Sequence, residues 1–224
     1  MSNPLIAREP ANLTTVRNHW WWRPGWKEGR HFYACHLTFE DQPQLQRLVH
    51  TYQHTIQNLD SLDPIPQQWL HLTMQGIGFL DEISEEEIKT AKESLIQYLG
   101  EIAQPIVTFQ HPTIQKEALY LRAEPKEALF ELRMCMYRAV VSVLGPDRLS
   151  DPEPTLETFG PHVSFAYVNA ETPASALEPV LQEVQANPVT VTFSQASLLE
   201  FHRDNRMYEW PHATPIPIGP SRSA

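Results

Sequence analysis

Two tetrapeptides hold the residues best suited to chemistry. His71-Leu72-Thr73-Met74 and His162-Val163-Ser164-Phe165 share one pattern: histidine, aliphatic, hydroxyl, large apolar. They stand 91 positions apart. In a strand, side chains alternate, so His71 and Thr73 point to one face while Leu72 and Met74 anchor the other. His162 and Ser164 stand in the same way against Val163 and Phe165. Two such strands side by side bring two imidazoles and two hydroxyls to one small anion. A phosphodiester suits that set. One neutral imidazole removes a proton from water or a ribose hydroxyl, and the other, protonated, gives its proton to the leaving oxygen. The hydroxyls donate to non-bridging phosphate oxygens. Histidine fits because its ordinary pKa of about 6.5 gives both protonation states near neutral pH. Each such role is worth roughly 10²–10⁴-fold in rate. The scheme calls for no metal and no cofactor. The alternative is a pair of ordinary half-buried strand segments; the repetition of the pattern is what argues for chemistry.

The elements that must position these residues are legible in outline. Residues 31–39 alternate as a strand. Over 43–59, Leu45, Leu48, Val49, Tyr52, Ile56 and Leu59 form a helical stripe. Residues 69–77 read as a strand. Ser84 with Glu87 three positions on is a capping box that opens a helix to about Leu99. Residues 105–111 and 117–123 read as a hairpin, and 126–144 as the longest apolar helix, ended by Gly145-Pro146. A strand over 162–168, a short helix over 174–186 and strand-like runs over 189–194, 196–203 and 206–218 complete the chain. Strands and helices mix throughout with hairpin-type joins, which predicts mixed α/β content with largely antiparallel sheet.

In this context the motifs resemble the signature of the two-histidine phosphoesterase superfamily, and specifically its 2′-5′ RNA ligase family. HLTMQGIG, with its trailing Gly78, is similar to the family's first motif, and PHVSFAYV, with Pro161 ahead of the histidine, to its second. ALYLRAEPKEALFELRMCMY resembles the strand and helix between them. The resemblance spans about residues 31–212. Ser164 stands where threonine is usual, and the region before Arg30 has no counterpart in shorter members. The resemblance implies an α+β fold of two similar lobes of mostly antiparallel sheet, helices outside, enclosing a central cleft with one motif from each lobe. It implies opening of cyclic or 2′-5′ phosphodiesters, typically an RNA 2′,3′-cyclic phosphate to a 2′-phosphate, or 2′-5′ joining of RNA ends. His71 and His162 would be the acid/base pair, with Thr73 and Ser164 holding phosphate.

Other residues compete for attention. His36-Leu37-Thr38-Phe39 is a third copy of the pattern. His36 is either a cleft contact or a satisfied histidine on a first strand. His50 and His54 have zinc-like spacing, but at about 100° per residue they fall near 140° and 180° from the apolar stripe, on the solvent side. Residues 19–30, HWWWRPGWKEGR, hold four of the six tryptophans beside three cations. Trp22 could stack on a single-stranded base there, or the segment could be an apolar flap over the sheet. In FHRDNRMYEW, Tyr208 could stack on a base, and Arg203 or Arg206 could pair with a phosphate, unless this is a plain surface turn. Arg122 is a further phosphate candidate. His19, His31, His111, His202 and His212 have no motif around them. Cys35 and Cys135 lack a nearby base and read as packed thiols.

Composition narrows the partners. The 224 residues carry 17 Lys and Arg against 27 Asp and Glu, a formal charge of −10. That balance argues against duplex DNA or any broad nucleic-acid surface, which needs a basic face, while leaving room for an RNA end or a small cyclic nucleotide in a confined cleft. Two cysteines cannot build a disulfide framework or a four-thiolate zinc site. No secretory pattern and no long apolar run is present, so a cytoplasmic protein, off the membrane, is expected. Residues 1–18 and 219–224 read as flexible ends around one bilobal domain over 19–218, expected to be a monomer. Three readings stay open: a metal-independent cyclic phosphodiesterase, a 2′-5′ RNA ligase using the same site, and a non-catalytic RNA- or nucleotide-binding module. A zinc hydrolase built on His50 and His54 is disfavoured by their solvent face.

Overall fold

The computed structural model describes residues 6–149 and 151–220. The strands in chain order are β1 (Ala7–Glu9), β2 (Thr15–Val16), β3 (Phe32–Thr38), β4 (Leu62–Pro64), β5 (His71–Phe79), β6 (Ile106–Gln115), β7 (Ala118–Glu124), β8 (His162–Val168), β9 (Thr172–Pro173), β10 (Val189–Thr192), β11 (Gln195–His202) and β12 (Glu209–Pro217). The helices are α1 (Pro43–Ile56), α2 (Glu85–Leu99), α3 (Lys126–Leu144) and α4 (Ala174–Gln182). The fold is mixed α+β with one large, mostly antiparallel sheet.

That sheet runs β1-β6-β7-β8-β5-β3-β11-β12, with β10 also on β6 and β4 also on β8. Its middle is a thin seam: β5 meets β8 through the single pair Leu72–Val163. One half, β6, β7 and β8, takes α1 and α4 as cover; the other, β5, β3, β11 and β12, takes α2 and α3. Alternation within the motif strands is as the sequence predicts. Leu72, Met74, Val163 and Phe165 are fully buried in the main core, so each motif strand is held by one face and presents the other.

Local chemistry explains most boundaries. Ser84 caps α2 reciprocally with Glu87: its amide donates to Glu87 Oε2 at 2.9 Å and its Oγ accepts from the Glu87 amide at 3.3 Å. Helix α3 spans the predicted 126–144 and stops at Gly145, whose φ of +77° suits glycine. Gly78 has a packing reason: a Cβ there would lie 2.7 Å from Ile83 Cδ1.

Some boundaries differ from expectation. Helix α1 ends at Ile56, because its stripe is completed there and Leu59 packs from a turn. Strand β6 runs on to Gln115, since it pairs on both sides, with β7 and with β1. Helix α4 ends at Gln182, and β12 begins at Glu209. The N-terminal stretch corrects the loose-end reading: β1 pairs in parallel with Thr113–Gln115, and Leu13 and Val16 are buried. Short polar segments carry no periodicity, but an unfilled sheet edge supplies their hydrogen bonds. Gly219 also donates its amide to the Leu99 carbonyl at 2.9 Å. The parts of the predicted ends at 1–5 and 221–224 lie outside the described residues.

Candidate active site

Strands β5 and β8 are neighbours, so both motifs open into one place. With Leu72 opposite Val163, antiparallel register sets His71 beside Ser164 and Thr73 beside His162. The register of each motif strand slips just past its hydroxyl residue: between Cys35 and Leu37 on the β3 side of β5, and between Leu119 and Tyr120 on the β7 side of β8. Each slip places one extra residue on the motif strand. Such bulges bend a strand and re-aim its side chains.

Both imidazoles are oriented in the same way. His71 Nδ1 lies 2.9 Å from the Trp69 carbonyl, and His162 Nδ1 lies 2.8 Å from the Gly160 carbonyl. A carbonyl can only accept, so each Nδ1 carries the proton and donates. Each Nε2 is thereby left as the atom that exchanges protons. Burial pushes the His71 imidazole down to about 4, against its carbonyl bond, and the His162 charge adds to the lowering. Burial also lowers His162, again against its carbonyl bond, with Arg122 adding to the effect. In both rings burial favours the neutral form. A bound phosphodiester anion would favour proton uptake by either.

Behind each catalytic-type ring stands another ring. His36 lies parallel to His71 at 5.5 Å and 10°, and Tyr120 lies on His162 at 4.3 Å and 30°. The third motif copy is thus the β3 neighbour of the first motif, in the place Tyr120 takes in the other half. Burial holds His36 down at about 3. Its Nδ1 sits 2.8 Å from the Cys35 carbonyl and 3.1 Å from the Met74 amide nitrogen.

His71, Thr73, His162 and Ser164 line one cavity of about 340 Å³. Trp26, Phe32, Phe79, Phe201 and Trp210 form much of the rest of its wall.

A family model described as the 2′-5′ RNA ligase superfamily matches residues 25–205. The chain belongs to the 2′-5′ RNA ligase superfamily. Solved structures of similar fold include TT0787 of Thermus thermophilus, 18% identical at a TM-score of 0.60, covering 84% of this chain and 97% of that one. E. coli LigT complexed with 3′-AMP is 16% identical at 0.54, covering 84% and 97%. LigT complexed with ATP is 15% identical at 0.50, covering 84% and 98%. At such identities the likeness is one of fold. A search of curated proteins finds no match.

Within this superfamily member, the predicted substrate handles divide. Tyr208 lines the cavity, edge-on to His71 at 5.8 Å, with its hydroxyl 3.0 Å from His19 Nε2. His36 also lines it, though only 5% exposed. The other four lie outside the lining. Arg203 is buried behind the aromatic wall, its guanidinium 5.2 Å from the Tyr208 ring and 5.6 Å from Trp20 and from Trp26. Arg206 pairs with Asp63 at 2.8 Å. Arg122 stands beside His162 in register but is engaged by Glu9. Trp22 is 50% exposed, while Trp26 from the same segment turns inward. A run of tryptophans has no periodicity to tell inward from outward.

His19 lines the cavity although no motif surrounds it. It stacks on Tyr167 at 4.3 Å, and burial, with Arg23, Arg203 and His71 adding, brings it to about 3. Tyr120 and Asp151 are equally invisible in the sequence, since cross-strand register and loop path alone bring them in. His50 and His54 are exposed on α1. Among the described residues, no group of three His, Cys, Asp or Glu side chains is placed to hold a metal ion. Cys35 is fully buried, its thiol pushed up to about 12, and Cys135 is raised too, again chiefly by burial. No helix of the described residues is long and apolar enough to cross a membrane.

Proposed function

We propose that this superfamily member is a metal-independent phosphodiesterase that opens a cyclic phosphodiester, an RNA 2′,3′-cyclic phosphate to a 2′-phosphate or a related cyclic nucleotide. The observation that carries this reading is the pair of matched Nδ1–H bonds to carbonyls two residues upstream, which leave two Nε2 atoms for one cavity. The nucleotides with which LigT is complexed, 3′-AMP and ATP, support a nucleotide-sized ligand for this fold.

His71 is the base in this scheme. Its ring is kept neutral by burial, with Trp210 edge-on at 5.6 Å and His36 behind it. His162 is the acid: it takes up a proton as the phosphodiester anion binds, and the face of Tyr120 stacked on it offsets part of its burial through the ring quadrupole. Water attacks phosphorus as His71 Nε2 takes its proton. The P–O3′ bond breaks, its electron pair stays on O3′, and His162 Nε2 supplies that oxygen's proton. Thr73 and Ser164 donate to the non-bridging oxygens, where charge grows in the transition state.

The test is turnover of a 2′,3′-cyclic-phosphate oligonucleotide in chelator, with and without a 5′-hydroxyl acceptor. The 2′-phosphate is the expected product. A joined 2′-5′ product would assign ligase chemistry to the same site. Tight product binding without turnover of any cyclic phosphate would make the cleft a binding module.

A further inference from the structure

The cavity is longer than a phosphodiester needs, and its far end has a composition of its own. Thr73, at the phosphate end, and Gly76 both line it on β5. The bulge brings them together: His36 alone faces Thr73 and Met74, and Ala34 faces Gly76, so the two stand two β3 residues apart, about 7 Å. The walls between are aromatic. Phe32 and Phe79 meet edge to face at 5.0 Å and 86°, and Trp26 closes over them, 5.2 Å from Phe79 and 5.5 Å from Phe201. These rings pack on one another and give the cavity an apolar wall against which one face of a flat ring would lie.

One carboxylate borders that wall. Asp151 Oδ2 accepts the Gly76 amide at 3.3 Å, which fixes it against the floor. A Cβ on Gly76 would stand 3.0 Å from that oxygen and 3.3 Å from the Phe32 ring, so glycine keeps this end open. Among the described lining residues Asp151 is the one acidic side chain, and no Lys or Arg lines the cavity.

From this geometry, and resting on the proposed phosphodiesterase reading, we infer that Asp151 selects guanine as the base of the nucleotide whose phosphate is opened. The donor pattern decides between the bases. An ionised carboxylate accepts at two oxygens and donates nothing. Guanine presents two adjacent donors, N1–H and N2–H, that match it as a charge-assisted bidentate pair. Adenine and cytosine each offer one amino donor beside a ring acceptor, which a carboxylate repels. Uracil flanks its single N–H with two carbonyls. A bidentate match of this kind discriminates by roughly tenfold to a hundredfold.

The experiment compares kcat/KM for the four nucleoside 2′,3′-cyclic phosphates in the wild type, Asp151→Asn and Asp151→Ala, and titrates the four nucleoside 2′-phosphates onto the wild type. The guanosine substrate and product should lead by about tenfold or more. Asp151→Asn should shift the preference toward adenosine, because an amide offers adenine one donor and one acceptor. Equal turnover of all four, unchanged by Asp151→Asn, overturns the inference and leaves the hydrolytic reading standing. A uniform loss on all four, with a lowered Tm, also overturns it and makes Asp151 a structural partner of Gly76 and Arg133. Preferential binding of guanosine 2′-phosphate without turnover of any cyclic nucleotide supports the guanine site and overturns the hydrolytic reading instead.

Discussion

His71 and His162 hold the same place in the two halves of the sheet. Each follows the carbonyl that orients it by two residues, precedes a hydroxyl by two, and sits on a strand that bulges just beyond. Each has a ring from the outer neighbouring strand stacked behind it. The halves differ in what that ring is and in the next residue out. On the His71 side they are His36 and Thr38, and Thr38 exchanges a hydrogen bond with Ser197 at 2.8 Å. On the His162 side they are Tyr120 and Arg122, both engaged by Glu9 of β1. A repeated backbone therefore delivers two imidazoles to one cavity, and in the proposed mechanism their unequal surroundings give them unequal work. An acid and a base are needed, so a fully symmetric site would serve worse.

The largest expected effect tests the shared half of that comparison. His71→Ala and His162→Ala should each lower kcat/KM by roughly 10²–10⁴-fold. The double variant should lose much less than the product of the two, since the residues act as a unit. Activity within tenfold of wild type in the double variant would break the mechanism. The asymmetry makes its own demand on the residual activity. His71→Ala should remove the acidic limb of the pH–rate profile, and His162→Ala the basic limb. The reverse assignment of limbs would exchange their roles.

The hydroxyls come next. Thr73→Ala and Ser164→Ala should each cost roughly 10²-fold in kcat, as loss of a transition-state donor does. Ser164→Thr should retain near-full activity, because the donor stays. A Ser164→Thr variant as slow as Ser164→Ala would mean that space, rather than the donor, matters on the β8 side.

The rings behind His71 and His162 should move stability more than chemistry. His36→Ala removes a buried ring stacked on His71 together with its bond to the Cys35 carbonyl, so a loss of about 1–3 kcal/mol is expected in denaturant unfolding. Tyr120→Phe keeps the stack on His162 and loses the Glu9 contact, for about 1 kcal/mol. If Tyr120→Phe is the more damaging of the two, the His162 side depends on β1 more than its packing indicates.

Stability itself should be graded with pH. His19 and His36 titrate near 3 in the fold and His71 near 4, against about 6.5 in an unfolded chain. Between those values the unfolded chain binds more protons, so stability is full above about pH 6.5 and falls as pH drops toward 3. Each such histidine adds at most about 1.4 kcal/mol per pH unit in that window. A Tm series from pH 7.5 to 4.5 should fall steadily, and less steeply in His36→Gln. A flat series would show that these rings charge without cost in the fold.

Much of this is legible in the sequence where a local rule acts alone. Alternation within residues 162–168 yields strand β8 and both of its faces. The Ser84–Glu87 box opens α2, and the apolar run with Gly145 bounds α3. The repeated histidine-hydroxyl pattern names His71, Thr73, His162 and Ser164, which line one cavity. Long-range placement is not legible. Arg203 and Trp22 are suggested by residue type, yet Arg203 is enclosed behind the aromatic wall and Trp22 faces solvent. His19 has no motif and lines the cleft.

By itself the sequence determined which side chains could exchange protons with a phosphodiester and that each would stand on one face of a strand, because spacing of two fixes facing in any extended segment. The tertiary structure decided that the two strands meet at Leu72 and Val163, that carbonyls claim both Nδ1 protons, and that His36 and Tyr120 stand behind the pair. Those are outcomes of register between strands distant in sequence. Register is set by how a whole core packs, so no local pattern carries it.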